Sequence, residues 1–238
     1  MAKERFYSLR LHSAQITLGA ASMTFEVPAG GCWVWPDAAP DGWIRLSLLS
    51  GRSGSGKTTL LRALYTRIRY GRDTTDGLLD FGPDLKAEDA SVAYIPQLSP
   101  EVSHWKVSEL VSRENSFLHG VFGKEVLRRR LGELSGGQQR KVYLCSALEL
   151  LASARATSRF LLLDETLDGL GADEAVRTIQ HLRQVWQAQG QAPLHVVLVT
   201  HLNRNEVTSG VNVAMHVHLE VLDAESLNAI RVTVDNRG

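Results

Sequence analysis

Apolar residues along the chain fall into two recurring patterns: short runs that are apolar throughout, and longer stretches with apolar positions three and four apart. Phe160 to Leu163, and Val196 to Val199 within the predicted strand Leu194 to Thr200, are of the first kind, which suits strands buried on both faces. Thr58 to Tyr70 is of the second kind, with Leu60, Leu61, Leu64 and Ile68 along one helical stripe. Gln138 to Leu151 and Ala172 to Gln189 repeat the helical pattern, and Val107 to Leu131 reads as helical and polar. Ser91 to Ile95 is a short strand after the turn-rich stretch 71–90. Strands alternating with helices predict a mostly parallel sheet covered on both faces.

The region before residue 50 has a different grain. Within 9–27, Gln15 to Leu18 and Ser22 to Val27 flank Gly19, and with the turn Pro28 to Gly31 they predict a strand and hairpin region. Cys32 to Trp35 and Trp43 to Leu49 predict two strands joined by the turn-rich loop Pro36 to Gly42. Trp33, Trp35 and Trp43 are then expected in a hairpin packed on its own sheet, because aromatics favour strands with one buried face; a partner-binding surface is the other reading.

Composition narrows the classes of function. With Lys and Arg at 26 against Asp and Glu at 26, the 238-residue chain as a whole carries no electrostatic footprint for nucleic acid or anionic lipid. Arg128, Arg129 and Arg130 accordingly read as a solvated helix face. A hydrophobic share of 44% against 22% charged excludes disorder, and the length predicts one large domain or a core with a subdomain. No apolar run approaches the roughly 20 residues that cross a bilayer. Cys32 and Cys145 lack metal-ligand spacing, which fits a reducing cytosol, and Met1 to Arg10 lacks the apolar segment of a secretory signal.

The chemistry begins at Gly51-Arg52-Ser53-Gly54-Ser55-Gly56-Lys57-Thr58, which fits G-x-x-x-x-G-K-[ST] and stands between a predicted strand and a predicted helix. Backbone N–H groups in such a loop point at phosphates and the helix start adds a favourable dipole. Lys57 supplies positive charge, Thr58 offers a hydroxyl to Mg2+, and Thr59 continues the phosphate-facing turn. The loop alone leaves kinases, GTPases and ATPases open. A second glycine signal, Leu134-Ser135-Gly136-Gly137-Gln138, narrows the choice: Ser135 can cap the following helix and, with the amides of Gly136 and Gly137, presents another anion-binding helix start.

With these two motifs in this order the chain resembles a nucleotide-binding subunit of the ATP-binding cassette (ABC) family, over Gly51 to His201. The resemblance implies an α/β P-loop NTPase of ABC ATPase type. Its mostly parallel sheet carries an N-terminal antiparallel β region, and 1–238 forms one domain, with a nucleotide-binding core over 1–96 and 134–238 and a helical subdomain over 97–133. It implies ATP and Mg2+ as cofactors. Asp164, ending the strand Phe160 to Leu163, resembles the family's metal-holding aspartate, and Glu165 its water-polarising glutamate. Gln97 resembles the glutamine that reaches both metal and water, and His201 the histidine that contacts the γ-phosphate. The catalytic set so implied is Glu165, His201, Gln97 and Lys57, and the metal set is Thr58, Gln97 and Asp164. Nucleotide contacts fall to Gly51, Ser53, Gly54, Ser55, Gly56, Lys57, Thr58 and Thr59, completed by Ser135, Gly136, Gly137 and Gln138 of an opposing subunit.

Hydrolysis therefore implies a head-to-tail pair, as a homodimer or a heterodimer with a second ABC ATPase chain. The resemblance further implies an energy-coupling subunit of a membrane transporter, cytoplasmic and peripheral through integral membrane permease subunits, with no direct nucleic-acid contact. The alternative is a soluble non-transport ABC ATPase that remodels a protein or nucleic-acid complex, which the short helical segment and the tryptophan insertion would suit. Two departures from the family pattern stand out. Gly171 occupies the place of an aspartate that helps the two sites communicate, a role left to Asp168 or Asp173. No aromatic residue lies in register around Ile16 to Gly19 to stack on adenine, which leaves Phe6, Tyr7 or a tryptophan.

Overall fold

Leucine and β-branched residues placed side by side on both faces of a strand can be satisfied only between two covering layers, and the central strands are built this way. The computed structural model describes residues 8–11, 13–18, 21–27, 32–34, 44–72, 79–80, 87–97, 102–189, 194–201, 213–222 and 229–236. Its strands are β1 (Ser8–Leu11), β2 (Ala14–Leu18), β3 (Ala21–Glu26), β4 (Cys32–Val34), β5 (Ile44–Gly51), β6 (Leu79–Asp80), β7 (Ala90–Ile95), β8 (Ser158–Asp164), β9 (Leu194–Val199), β10 (Val213–Val221) and β11 (Ala229–Asn236). The helices are α1 (Lys57–Tyr70), α2 (Val107–Leu110), α3 (Ser116–Val121), α4 (Gly136–Ser153) and α5 (Ala172–Ala188).

The main sheet has eight strands in the order β2-β3-β11-β10-β5-β9-β8-β7. Neighbours from β10 through β5, β9 and β8 to β7 are parallel, while β2 pairs with β3 and β10 with β11 antiparallel. Successive residues of β8 serve opposite layers: Leu161 and Leu163 pack with α4 and α5, and Phe160 and Leu162 pack with α1. In β9, Val196 and Leu198 face the first layer and Val197 and Val199 the second. The functional ends of β5, β8 and β9 are thereby fixed at one edge of a dry core.

Three expectations change. Cys32–Val34 does not belong with the strand after it: β4 pairs with β1 in a separate three-stranded antiparallel sheet, whereas β5 lies between β10 and β9. The reason is the doubly apolar run Leu46-Ser47-Leu48-Leu49, which suits a central parallel strand rather than half of a hairpin. Of the tryptophan group, Trp35 and Trp43 lie outside the described residues, as do Phe6, Tyr7 and the turns Pro28 to Gly31 and Pro36 to Gly42.

The helical stretch from Val107 to Leu131 is broken into α2, α3 and 3-10 turns at Lys124–Arg128 and Leu131–Glu133. Local side chains favour the breaks, since Asn115 Oδ1 accepts from the Leu118 N–H at 2.8 Å and restarts the helix. Beyond Thr200, β10 and β11 add two strands to those read from the sequence. Val213, Met215, Val217 and Leu219 are buried while His218 and Glu220 are exposed, the alternation of a strand covered on one face.

One buried titratable group makes the fold pH-sensitive. His195 of β9 sits opposite Arg45 and Phe160 on the neighbouring strands and stacks on Phe160 with ring centroids 5.0 Å apart. Burial, helped by the nearby Arg45 charge, pushes its imidazole down to about 3. The folded protein thus keeps His195 neutral, while the unfolded chain takes up a proton below about pH 6.5, so stability is full above that value and falls as the pH drops towards 3. Denaturant unfolding at pH 7 and pH 5 should show a loss of about 2 kcal/mol that His195→Leu removes. Equal losses in both proteins would contradict a neutral His195.

Candidate functional site

Strand β5 delivers the chain to the glycine-rich loop, and the loop is shaped by close packing. A side chain at Gly51 would lie 2.5 Å from the Leu219 carbonyl oxygen, so the loop can leave the sheet here only as glycine. Gly56, with φ 81, turns the chain in the left-handed region directly into α1, whose first N–H groups have no intrahelical partner. Lys57 is 4% exposed and curls back over the loop, its Nζ donating to the carbonyls of Gly51 and Arg52 at 2.9 Å each. Burial pushes its ammonium down from its ordinary value, against the carboxylates of Glu165, Asp164 and Asp168, which favour the charged form.

The acidic end of β8 faces this loop. Asp164 is buried, with Oδ1 accepting from the Thr58 hydroxyl at 3.1 Å and Oδ2 from the Tyr94 hydroxyl at 2.9 Å. Both oxygens are aimed by hard polar partners. Glu165 follows in a left-handed conformation, φ 51, the sole non-glycine with positive φ among the described residues. For an L-residue this costs about 1 kcal/mol. The conformation is held by its N–H donating to the Val199 carbonyl at 3.0 Å. Its carboxylate is then gripped from two sides, Oε1 lying 2.8 Å from His201 Nε2 and Oε2 accepting from Gln97 Nε2 at 3.3 Å.

The geometry brings most of the sequence-predicted residues together. Ser53, Gly54, Ser55, Gly56, Lys57, Thr58, Thr59, Gln97, Glu165 and His201 line one cavity of about 390 Å³, with Asp164 immediately behind Thr58. Ser135, Gly136, Gly137 and Gln138 do not line it. They form the exposed start of α4, where the Ser135 hydroxyl accepts from the Gln138 N–H at 3.3 Å and the Gln138 side chain accepts from the Ser135 N–H at 3.0 Å. A side chain at Gly136 would meet open space, so this helix start is available to another molecule.

Two residues joined to the site lie outside the expected catalytic, nucleotide and metal sets. Tyr94, on β7 with β9 and β8 between it and the strand that leads to the loop, reaches Asp164; its only sequence signal is an aromatic residue three positions before Gln97. Asp168, in the turn after Glu165, accepts from the His201 N–H at 2.8 Å and from the Thr200 hydroxyl.

The donor set fits the cofactors expected of it. Thr58 and Asp164 supply neighbouring hard oxygens, the ligand type that Mg2+ takes, and the Gln97 carbonyl is left open because its amide nitrogen serves Glu165. Loop amides, the start of α1 and Lys57 together favour a polyanion such as a triphosphate.

Comparison with known proteins agrees with this geometry. Residues 45–168 match the family described as ABC transporter. The taurine import ATP-binding protein TauB of Pseudomonas syringae pv. tomato is 35% identical over 173 residues, 66% of this chain and 61% of the relative. The aliphatic sulfonates import ATP-binding protein SsuB 1 of the same organism is 34% identical over 162 residues, 64% of this chain and 53% of the relative. The chain thus spans between 53% and 61% of the length of these two relatives. An ATP-binding cassette of an ABC transporter superposes with a TM-score of 0.58 at 14% identity, covering 98% of this chain and 92% of that one, and so shares the fold.

Proposed function

Since the chain belongs to the ABC transporter family, we propose that it is the ATP-hydrolysing, energy-coupling subunit of a membrane importer. The observation that carries this reading is the convergence of Lys57, Thr58, Gln97, Glu165 and His201 on one cavity at the ends of parallel strands. Lys57 and the loop amides bind the β- and γ-phosphates. Thr58, Asp164 and Gln97 would hold Mg2+, which would supply positive charge beside the phosphate oxygens. Glu165 orients a water and takes its proton as the water oxygen attacks the γ-phosphorus and the bond to ADP breaks. Gln97 and His201 hold the Glu165 carboxylate for that task, and His201 faces the γ-phosphate.

The core over 1–96 and 134–238 carries this chemistry, with a helical subdomain over 97–133. The exposed Ser135 to Gln138 turn completes the site of an opposing subunit, so that two chains close head to tail on ATP and reopen after hydrolysis. Among the described residues no helix is long and apolar enough to cross a membrane. On the transporter reading the chain attaches through permease subunits at the cytoplasmic face. Import is supported by the names of the relatives, and these do not favour the soluble remodelling ATPase. Cargo specificity belongs to the partner chains.

Mixing two inactive variants tests the shared site. Lys57→Ala and Ser135→Arg chains should each be inactive alone, and a mixture should recover up to about a quarter of the wild-type rate, because half of the dimers then hold one intact site of two. A mixture as inactive as its components would overturn a site shared between copies of this chain.

A further inference from the structure

Beside the start of the phosphate loop, β10 carries the run His216-Val217-His218. Val217 is buried in the core, so strand alternation puts the two imidazoles together on the opposite face of the sheet. Ser50 of β5 is paired with His218 in parallel register. Its Oγ lies 2.6 Å from His216 Nε2 and 2.9 Å from His218 Nδ1, and the two ring centroids are 6.1 Å apart. A hydroxyl has one hydrogen, so Ser50 can donate to one ring nitrogen only and must accept from the N–H of the other. Two ring nitrogens thus converge on one point, and a change of tautomer in one ring turns both lone pairs towards it.

We propose that His216 and His218 form a chelating site for a divalent transition-metal ion of the zinc, copper or nickel type, with Ser50 at its edge. Neutral imidazole is the common protein ligand for these ions, whereas Mg2+ takes oxygen, so this pair and the set Thr58, Asp164 and Gln97 select different metals. Zn2+ takes an imidazole nitrogen at about 2.0–2.1 Å, so an ion placed where the Ser50 hydroxyl lies requires each ring to close in by less than about 1 Å. Rotation of the Ser50 side chain clears the place. His216 is half-buried and His218 exposed, so the ion can enter from solvent and water can fill its remaining positions. None of the three residues lines the nucleotide cavity, so the inference goes beyond the nucleotide reading and does not depend on it. The site nevertheless lies close to the loop, since Ser50 precedes Gly51, and Gly51 packs against the carbonyl of Leu219, the residue after His218.

The test uses the full chain without an affinity tag and without nucleotide, titrated with Zn2+ in a calorimeter and loaded with equimolar Cu2+ for electron paramagnetic resonance. His216→Ala and His218→Ala should each weaken Zn2+ binding by at least about tenfold, the loss that even an outer-shell partner brings. The wild-type Cu2+ spectrum should show coupling to two imidazole nitrogens, falling to one in either variant. Ser50→Ala, which removes the competing hydroxyl, should leave both nitrogens on the ion. Glu165, Asp168 and His201 also bring ligand atoms within 4.8 Å of one another, so His201→Ala is the control and should keep the two-nitrogen spectrum. Zn2+ binding of wild-type affinity in the double variant His216→Ala/His218→Ala, or its loss in His201→Ala, would overturn the proposal. So would a wild-type Cu2+ spectrum with fewer than two nitrogens, a result that needs no variant to fold.

Discussion

Glu165→Gln is expected to lower ATP turnover by about 10²- to 10⁴-fold, the range in which a positioned general base contributes, while leaving ATP affinity nearly unchanged. The separation follows from the geometry. Glutamine is isosteric, so its carbonyl oxygen can still accept from Gln97 Nε2 or lie against His201, and the strained φ of 51 is held by a backbone bond to Val199 that the substitution does not touch. What is lost is the capacity to take a proton from water. On the proposed reading, phosphate binding falls to Lys57 and the loop residues that line the same cavity. Single-turnover hydrolysis beside equilibrium ATP binding measures the two effects separately. A variant that hydrolyses at the wild-type rate would mean that another group is the base.

Lys57→Ala should lose affinity along with turnover, ATP binding falling by about 3 kcal/mol, on the order of a hundredfold, as when one partner of a desolvated charge pair is truncated. Lys57 is 4% exposed, and its ammonium is held over the loop by the carbonyls of Gly51 and Arg52. These two bonds keep the charge poised where phosphate oxygens would arrive. Gly51 is half-buried and Arg52 exposed, so water can reach this turn after truncation and the thermal midpoint should move by only a few degrees. Calorimetric titration with ATP checks the affinity, and a thermal melt without nucleotide checks the fold. Unaltered affinity would remove Lys57 from the phosphate site.

The central layer of the fold was legible in the sequence because its signals are local and strong. Phe160 to Leu163 and Val196 to Val199 are apolar at every position, which suits a strand covered on both faces, and β8 and β9 lie there. The glycine spacing before Lys57 dictates a turn that few other residues can follow, so loop, helix and phosphate chemistry were read together. The partnering of β4 with β1, rather than with the strand that follows it, was not legible. A three-residue strand carries no register information, and its partner is set by what the remaining sheet leaves unpaired. Nor were the breaks between Val107 and Leu131, which depend on the side chain of Asn115 competing for backbone N–H groups.

At the site, motif spacing pointed to residues next to a glycine turn or a strand end, and the fold brings Lys57, Thr58, Asp164, Glu165 and His201 close together. Tyr94 carries no such spacing, and Asp168 is legible only as a stand-in for the aspartate replaced by Gly171. Tyr94 meets Asp164 only because β7 lies beside β8 in parallel register, and Asp168 meets His201 only because the turn after Glu165 folds back over the end of β9. Contacts of this kind join residues 70 and 33 positions apart and are created by topology alone.

The central claim is that ATP turnover at this site drives a membrane transporter. The most direct measurement is purification of the tagged Glu165→Gln chain from its native cells in Mg-ATP and mild detergent, followed by identification of what accompanies it. The account predicts a polytopic membrane protein in stoichiometric amount, released when ATP is withdrawn. Only soluble proteins, bound reproducibly and in an ATP-dependent manner, would contradict it.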